Sequence, residues 1–358
     1  MHTQESGYCY SFPAVRGIQA GRPFYIATCP LRIIPKIFSY NEDDVPPELR
    51  AQRTLNKTRI PEMVRYLLDN PKEYVFSALT ASVGVDISFD DHSGAPNLGT
   101  LKIPMDAQIL INDGQHRRKA IEEALRENPD LGQDNIPVLF FIDEGLGRSQ
   151  QMFADLNKYA VKPSPSLGTL YDHRDESSEL ARLLASKKPF VGLTEMEKSN
   201  ISPKSNKLFT LSSIKQSTRA LLSKGPKDGF SEEEKSLAAE FWLEVTNNIP
   251  DWQMVINKQI SPAQLRQEFI HAHGVGLHAI GLLGKHLLCQ EPENWKETLK
   301  NLSKVNWLKT NPEWVKRSMN LGKLSKSTQN IQLTANALKI ELGLPLTPEE
   351  KALEKQLS

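Results

Sequence analysis

The sequence predicts a mixed α/β domain followed by a mainly α-helical region. Three observations predict it: strand-like and helix-like runs alternate up to about Pro163, strand-like runs almost vanish beyond it, and Pro163 and Pro165 punctuate the change. The length of 358 residues fits two domains at roughly 100–200 residues each. The expected division is 1–163 for the α/β domain and 164–358 for the helical domain.

Each element has its own warrant. PFYIATC and the stretch around ILIN read as strands, and VFSALTASVGVDISF as one or two strands broken near Gly84. IPVLFFID is a continuous apolar run of strand length, the pattern of a buried strand. IPEMVRYLLDN spaces Ile60, Met63, Val64, Leu67 and Leu68 for a helix, with Pro61 suited to its first turn. QHRRKAIEEALREN repeats the pattern with Ala120, Ile121, Ala124 and Leu125, and Pro129 ends it. Beyond VKPSPS, helices are expected at ESSELARLLAS, TLSSIKQSTRALLS, EEEKSLAAEFWLEVTNNI, SPAQLRQEFIHAHGVGLHAIGLLGKHLL, PENWKETLKNL and NIQLTANALKIEL, with a last charged helix after Thr347.

Composition narrows the classes. Lys and Arg total 44 against 43 Asp and Glu, which excludes a histone-like polycation but leaves room for a local basic face. Cys9, Cys29 and Cys289 are odd in number, widely spaced and without a C-x-x-C, so neither a disulfide scaffold nor a zinc finger is expected. The first residues lack a charged-then-apolar leader pattern, and no apolar run approaches the roughly 18 residues of a membrane span, so a cytoplasmic protein is expected.

One stretch carries chemistry. In AQILINDGQHRRKAIEEAL a strand runs into Asp113-Gly114 and a helix begins at once with Gln115, His116, Arg117 and Arg118. Gly114 permits a tight turn and close backbone approach. The helix start offers unpaired N–H groups and a partial positive charge, while the arginines offer forks for phosphate oxygens. Cations at a helix N-terminus oppose the dipole, so packing alone gains nothing from them there. Asp113, Gly114, Gln115, His116, Arg117 and Arg118 are therefore candidate phosphate- or nucleotide-binding residues, with both arginines expected to face one open pocket. The bland alternative is a solvated helix start.

The string DGQHR resembles the defining motif of DGQHR-domain proteins, distant relatives of the ParB N-terminal and sulfiredoxin-like fold, whose Gly-x-Arg-Arg box binds nucleotide phosphate. IPEMVRYLLDN, VFSALTASV and IPVLFFIDEG resemble the elements flanking that box, and QQMFADLNKYAVKPS the helix after it, with Asn157 near the ParB-type asparagine. Over nearly its whole length the chain resembles the DndB family of bacterial DNA phosphorothioation (sulfur modification) clusters, regarded as regulators of their own operon. The resemblance implies a transcriptional regulator, expected to act as a repressor, with double-stranded DNA at its own operon promoter as partner. Operator binding favours a homodimer. The alternative is a ParB-like nucleotide-hydrolysing enzyme, whose cofactor would be a nucleoside triphosphate with Mg. Here Gln115 and His116 stand where ParB boxes carry a glutamate, which counts against ParB-type hydrolysis more than against phosphate binding.

Two segments are locally basic. From Lys198 to Lys224 lie Lys204, Lys207, Lys215 and Arg219 without an Asp or Glu. From Lys300 to Lys326 lie Lys316, Arg317 and further lysines against Glu313 alone, with Trp307 and Trp314 interleaved. Basic residues with aromatics suit nucleic acid, so Lys204, Lys207, Lys215, Arg219, Lys316 and Arg317 are candidate DNA contacts. TLSSIKQSTRALL is a recognition-like helix if Ser212, Ser213, Lys215, Gln216 and Arg219 reach outward. The alternative is a solvated helix face with its tryptophans in the core. His271, His273, His278 and His286 crowd one segment without metal-site spacing and are expected to be structural. Gly274, Gly276, Gly281 and Gly284 in the same segment predict close helix packing. Cys29, ahead of Pro30 and Arg32, is either a buried inert thiol or a redox-responsive one with a lowered pKa. No catalytic residue and no metal ligand set is assigned.

Overall fold

The structure is a computed structural model that describes residues 8–38, 57–85, 87–142, 151–152, 154–156, 163–226 and 228–357. Asn157 and the end of its expected helix lie outside the described residues. The chain divides into two compact units, Met1–Val161 and Lys162–Ser358.

The first unit is built on a seven-stranded mixed sheet, in agreement with the expected α/β class. Strands β1 (Cys9–Gln19) and β2 (Arg22–Pro30) form a hairpin whose two turn residues, Ala20 and Gly21, both have positive φ. That turn matches the right-handed twist of its strands. β3 (Leu79–Val83), β4 (Ser88–His92), β5 (Ala95–Pro104), β6 (Ile109–Asp113) and β7 (Asn135–Ile142) complete the order β4-β5-β1-β2-β7-β3-β6, in which only β3 and β7 run parallel.

Two strands escaped the sequence reading, for a visible reason. β1 contains Pro13, and β5 contains Pro96 and Gly99, residues depleted in strands. Pro13 pairs with β5 but lies just outside the β1–β2 register, which begins at Ala14. β7 also differs from expectation. It buries Ile136, Val138 and Phe140 but leaves Pro137 exposed and Leu139 half-exposed, so it is covered on one face more than the other.

Helix α1 (Ile34–Ile37) is one turn long. Helix α2 (Ile60–Asp69) buries Ile60, Val64 and Leu67, and α3 (Gln115–Glu127) buries Ala120, Ile121 and Ala124, the stripes their spacing predicts. α2 and α3 pack together on a core that includes Leu79, Ala81, Ile111 and Phe140.

Among the described residues the second unit is helical apart from two sheets of two short strands each. Its helices are α4 (Pro165–Tyr171), α5 (Glu176–Ala185), α6 (Leu211–Leu221), α7 (Glu232–Asn247), α8 (Pro250–Ile256), α9 (Pro262–Glu268), α10 (Gly274–Gln290), α11 (Trp295–Leu299), α12 (Thr328–Glu341) and α13 (Pro348–Glu354). The segment read as one helix from Ser261 is two. Phe269 is extended, Ile270 donates its N–H to Trp307 O, and the helix restarts at Gly274. α10 is the hub, packed against α6 and α12. Gly281 and Gly284 meet the expectation of close packing, since a Cβ on Gly281 would lie 2.4 Å from Ser217 O of α6. All five tryptophans are buried in this core. Among the described residues no helix is long and apolar enough to cross a membrane.

Candidate functional site

The Asp113–Arg118 turn lies where expected, between β6 and α3. Gly114 is the N-cap of α3, with φ +103. A Cβ there would fall 2.3 Å from Leu79 Cδ2 and 3.0 Å from Arg117 Nη2. Glycine is thus required twice, by the left-handed backbone and by the leucine and guanidinium packed over it. No side chain caps α3 and no acidic residue stands in its first turn, so its amides keep their attraction for an anion.

The arginines do not converge on one pocket, which corrects the expectation. Arg117 donates to Asp113 Oδ2 at 2.6 Å and to Ser77 Oγ, tying the helix start to the end of β6 and to the residues ahead of β3. Arg118 is 8% exposed and donates to Glu122 Oε2 at 2.5 Å and to Pro35 O at 3.0 Å, tying α3 to α1. Adjacent residues on a helix point about 100° apart, so each arginine finds its own partners. Burial alone would raise the Glu122 carboxyl, but Arg118, Lys119 and Arg126 outweigh it and hold Glu122 below its usual range. Gln115 is buried, with Nε2 unpartnered, and His116 is half-buried. In Arg117 the Nε–H is buried and unpartnered. The Asp113 carboxylate occupies the fork that a phosphate oxygen would use. Its side chain is 48% exposed, so an incoming anion can compete with it.

The basic segments fare unevenly. Lys215 is bound to Asp175 and to Ser178 Oγ. Ser212 and Ser213 are buried against Ser166 and Thr210. α6 is therefore a core helix and not a recognition helix. Arg219 is half-buried, with a buried Nε that has no partner. Arg317 is held by Glu354 at 2.6 Å and by Leu333 O. Trp307 and Trp314 stack on each other at 5.8 Å, 4% and 0% exposed, which removes them as base-stacking platforms. Lys204 and Lys316 are exposed and Lys207 half-exposed; Lys207 Nζ donates to Gly192 O and Lys316 Nζ to Leu357 O. These three, together with the half-buried Arg219, are the members of the candidate set without a carboxylate partner among the described residues.

Cys29 is fully buried, and burial pushes its thiol up to about 12, opposite to the lowered pKa of the redox alternative. His271, also fully buried, lies between Trp252 Nε1 at 3.0 Å and Asp251 Oδ2 at 3.2 Å, and His273 Nε2 bonds Arg266 O at 2.7 Å. The partners that give the turn its rigidity, Ser77 and the Pro35 carbonyl, had no sequence signal. They are remote in the chain and ordinary in type.

Comparison with known proteins adds one finding. The sequence profile of a family described as "DndB: DNA-sulfur modification-associated" matches residues 12–345. No curated protein and no solved structure matches the chain.

Proposed function

The chain belongs to the DndB family, DNA-sulfur modification-associated, and from that premise we propose that it is a DNA-binding regulator, a repressor of the operon for that modification. The observation that carries this reading is the reach of the match, from residue 12 to residue 345 and so across both units. The family's link to DNA modification then applies to the chain as a whole. Lys204, Lys207 and Lys316 support it as backbone contacts, since their hydrogen-bond partners, where seen, are carbonyl groups and leave the charge available. A symmetric dimer on a palindromic operator is the natural arrangement for such a regulator.

The turn at Asp113–Arg118 enters as a second phosphate contact. There an anion displaces the Asp113 carboxylate from the Arg117 fork and faces the uncapped start of α3. Asp113→Asn weakens the internal competitor and is expected to tighten phosphate binding, whereas Arg117→Ala weakens it.

A gel-shift titration with the DNA upstream of its own gene cluster tests the reading. The parent should bind this duplex with an affinity that falls steeply with salt. Each of Lys204→Ala, Lys207→Ala and Lys316→Ala should lower the salt slope by about one where that lysine contacts a phosphate. Absence of binding to this duplex, together with release of phosphate from ATP or CTP in the presence of Mg, would replace the regulator with a nucleotide-hydrolysing enzyme.

A further inference from the structure

The helical unit holds a cavity of about 270 Å³ whose walls carry positive charge and, among the described residues, no acidic side chain. Thr210, Ser213, Arg266, His273, Gly274 and Lys326 are among its lining residues. On one side lies the start of α10, which has no side-chain cap and no acidic residue in its first turn. A Cβ on Gly274 would lie 2.8 Å from Ser213 Oγ and 3.0 Å from Lys326 Nζ. Glycine at this position lets a hydroxyl and an ammonium reach over the first amides of the helix.

Among the described residues these charges have no carboxylate partner. Arg266 is 7% exposed and donates to the carbonyls of Ser202, Pro203, Ser205 and Lys207. Those bonds occupy its terminal N–H groups but do not neutralise it. Lys309 donates its ammonium to Arg266 O at 2.5 Å and brings a second cation alongside. Lys326 reaches Ser213 Oγ only at 3.5 Å. One turn along α10 from Gly274, on the same face, His278 Nδ1 is buried without a partner. Desolvation draws Arg266 and Lys309 below their usual pKa ranges, so each of these two charges is held at a cost that an anion would offset.

We propose that this cavity binds the phosphate group of a small molecule. Backbone amides, a serine hydroxyl and a lysine ammonium around one recess are donors for an oxygen-rich tetrahedral anion. Several cations without a carboxylate favour a dianion, as a phosphate monoester is, over a singly charged phosphodiester. The site is separate from the turn at Gly114 and does not depend on the DNA-binding reading.

Calorimetric titration of the full chain tests the proposal, using inorganic phosphate, adenosine 5′-monophosphate and adenosine at one ionic strength. Phosphate and the monophosphate should bind and adenosine should not. A tighter monophosphate identifies a nucleotide-like carrier, and equal affinities identify free phosphate, either result supporting the site. Lys326→Gln should weaken binding about tenfold or more, Gly274→Ala should also weaken it, and Lys326→Arg should retain it. Lys326→Gln should leave duplex DNA affinity unchanged. The proposal is overturned by absence of phosphate binding, by equal binding in Lys326→Gln and the parent, or by a Lys326→Gln variant that loses DNA affinity but no phosphate affinity.

Discussion

At the scale of single residues, the most constrained position is Gly114. Its φ of +103 and the Leu79 methyl 2.3 Å from a built Cβ act together. Gly114→Ala should destabilise the first unit by about 1–3 kcal/mol, measured by chemical denaturation. A smaller loss would mean that Leu79 and the turn relax freely. The DGQHR string announced a special turn, and glycine followed by arginines at a helix start made that legible. The arginines' partners were not legible, because Ser77 is 40 residues from Arg117 and Pro35 is 83 from Arg118. Cys29 gives a second expectation. A thiol pushed up to about 12 carries almost no thiolate near neutral pH. A thiol-reactive disulfide reagent should label the exposed Cys9 and Cys289 in the folded protein, and Cys29 only once denaturant is added. Rapid labelling of Cys29 in the native state would show that its cover opens.

Among the elements, α10 decides the most. Gly281 lets α6 approach so closely that an added Cβ would meet Ser217 O at 2.4 Å, a backbone atom that cannot rotate away. Gly281→Ala should separate the two helices and cost about 1–3 kcal/mol, with the loss read in thermal unfolding followed by helical circular dichroism. An unchanged midpoint would show that the helices slide apart without penalty. The glycine spacing in α10 was visible in the sequence and pointed to packing. The break between α9 and α10 was not, since apolar residues continue through Phe269, Ile270 and Ala272. What breaks the helix is a tertiary hydrogen bond from Ile270 N to Trp307 O.

For the molecule as a whole, the helical unit sets a fully buried His271 beside the half-buried His273 and His278 in sequence, and its stability should follow pH. His273 and His278 are drawn down to about 4, first by desolvation and then by Lys309 and Lys326 respectively. Their unfolded value is 6.5, so between about 6.5 and 4 the unfolded chain binds more protons than the folded one. These groups are neutral in both states above that window, where the stability they contribute is fully present. That stability is lost as pH falls towards 4. Tryptophan fluorescence reports this unit alone, because all five tryptophans belong to it. Denaturation midpoints should be level from pH 8 to 7 and then fall from 6.5 to 5. A midpoint that rises on acidification would contradict the neutral state of these two half-buried rings.

What the sequence by itself determined is the class of each half, most helices with their buried stripes, and the turn at Gly114. Such features depend on neighbours within a few residues, where period and backbone freedom act directly. The tertiary structure alone decided which polar groups meet. It sent Trp307 and Trp314 into the core, closed Lys215 and Arg317 onto Asp175 and Glu354, and left Lys204 and Lys316 outside. It also set Lys326 above Gly274. The physical reason is that an ion pair or a stacked ring is a contact between distant points of the chain. Its partner is fixed only when the whole apolar surface has been buried.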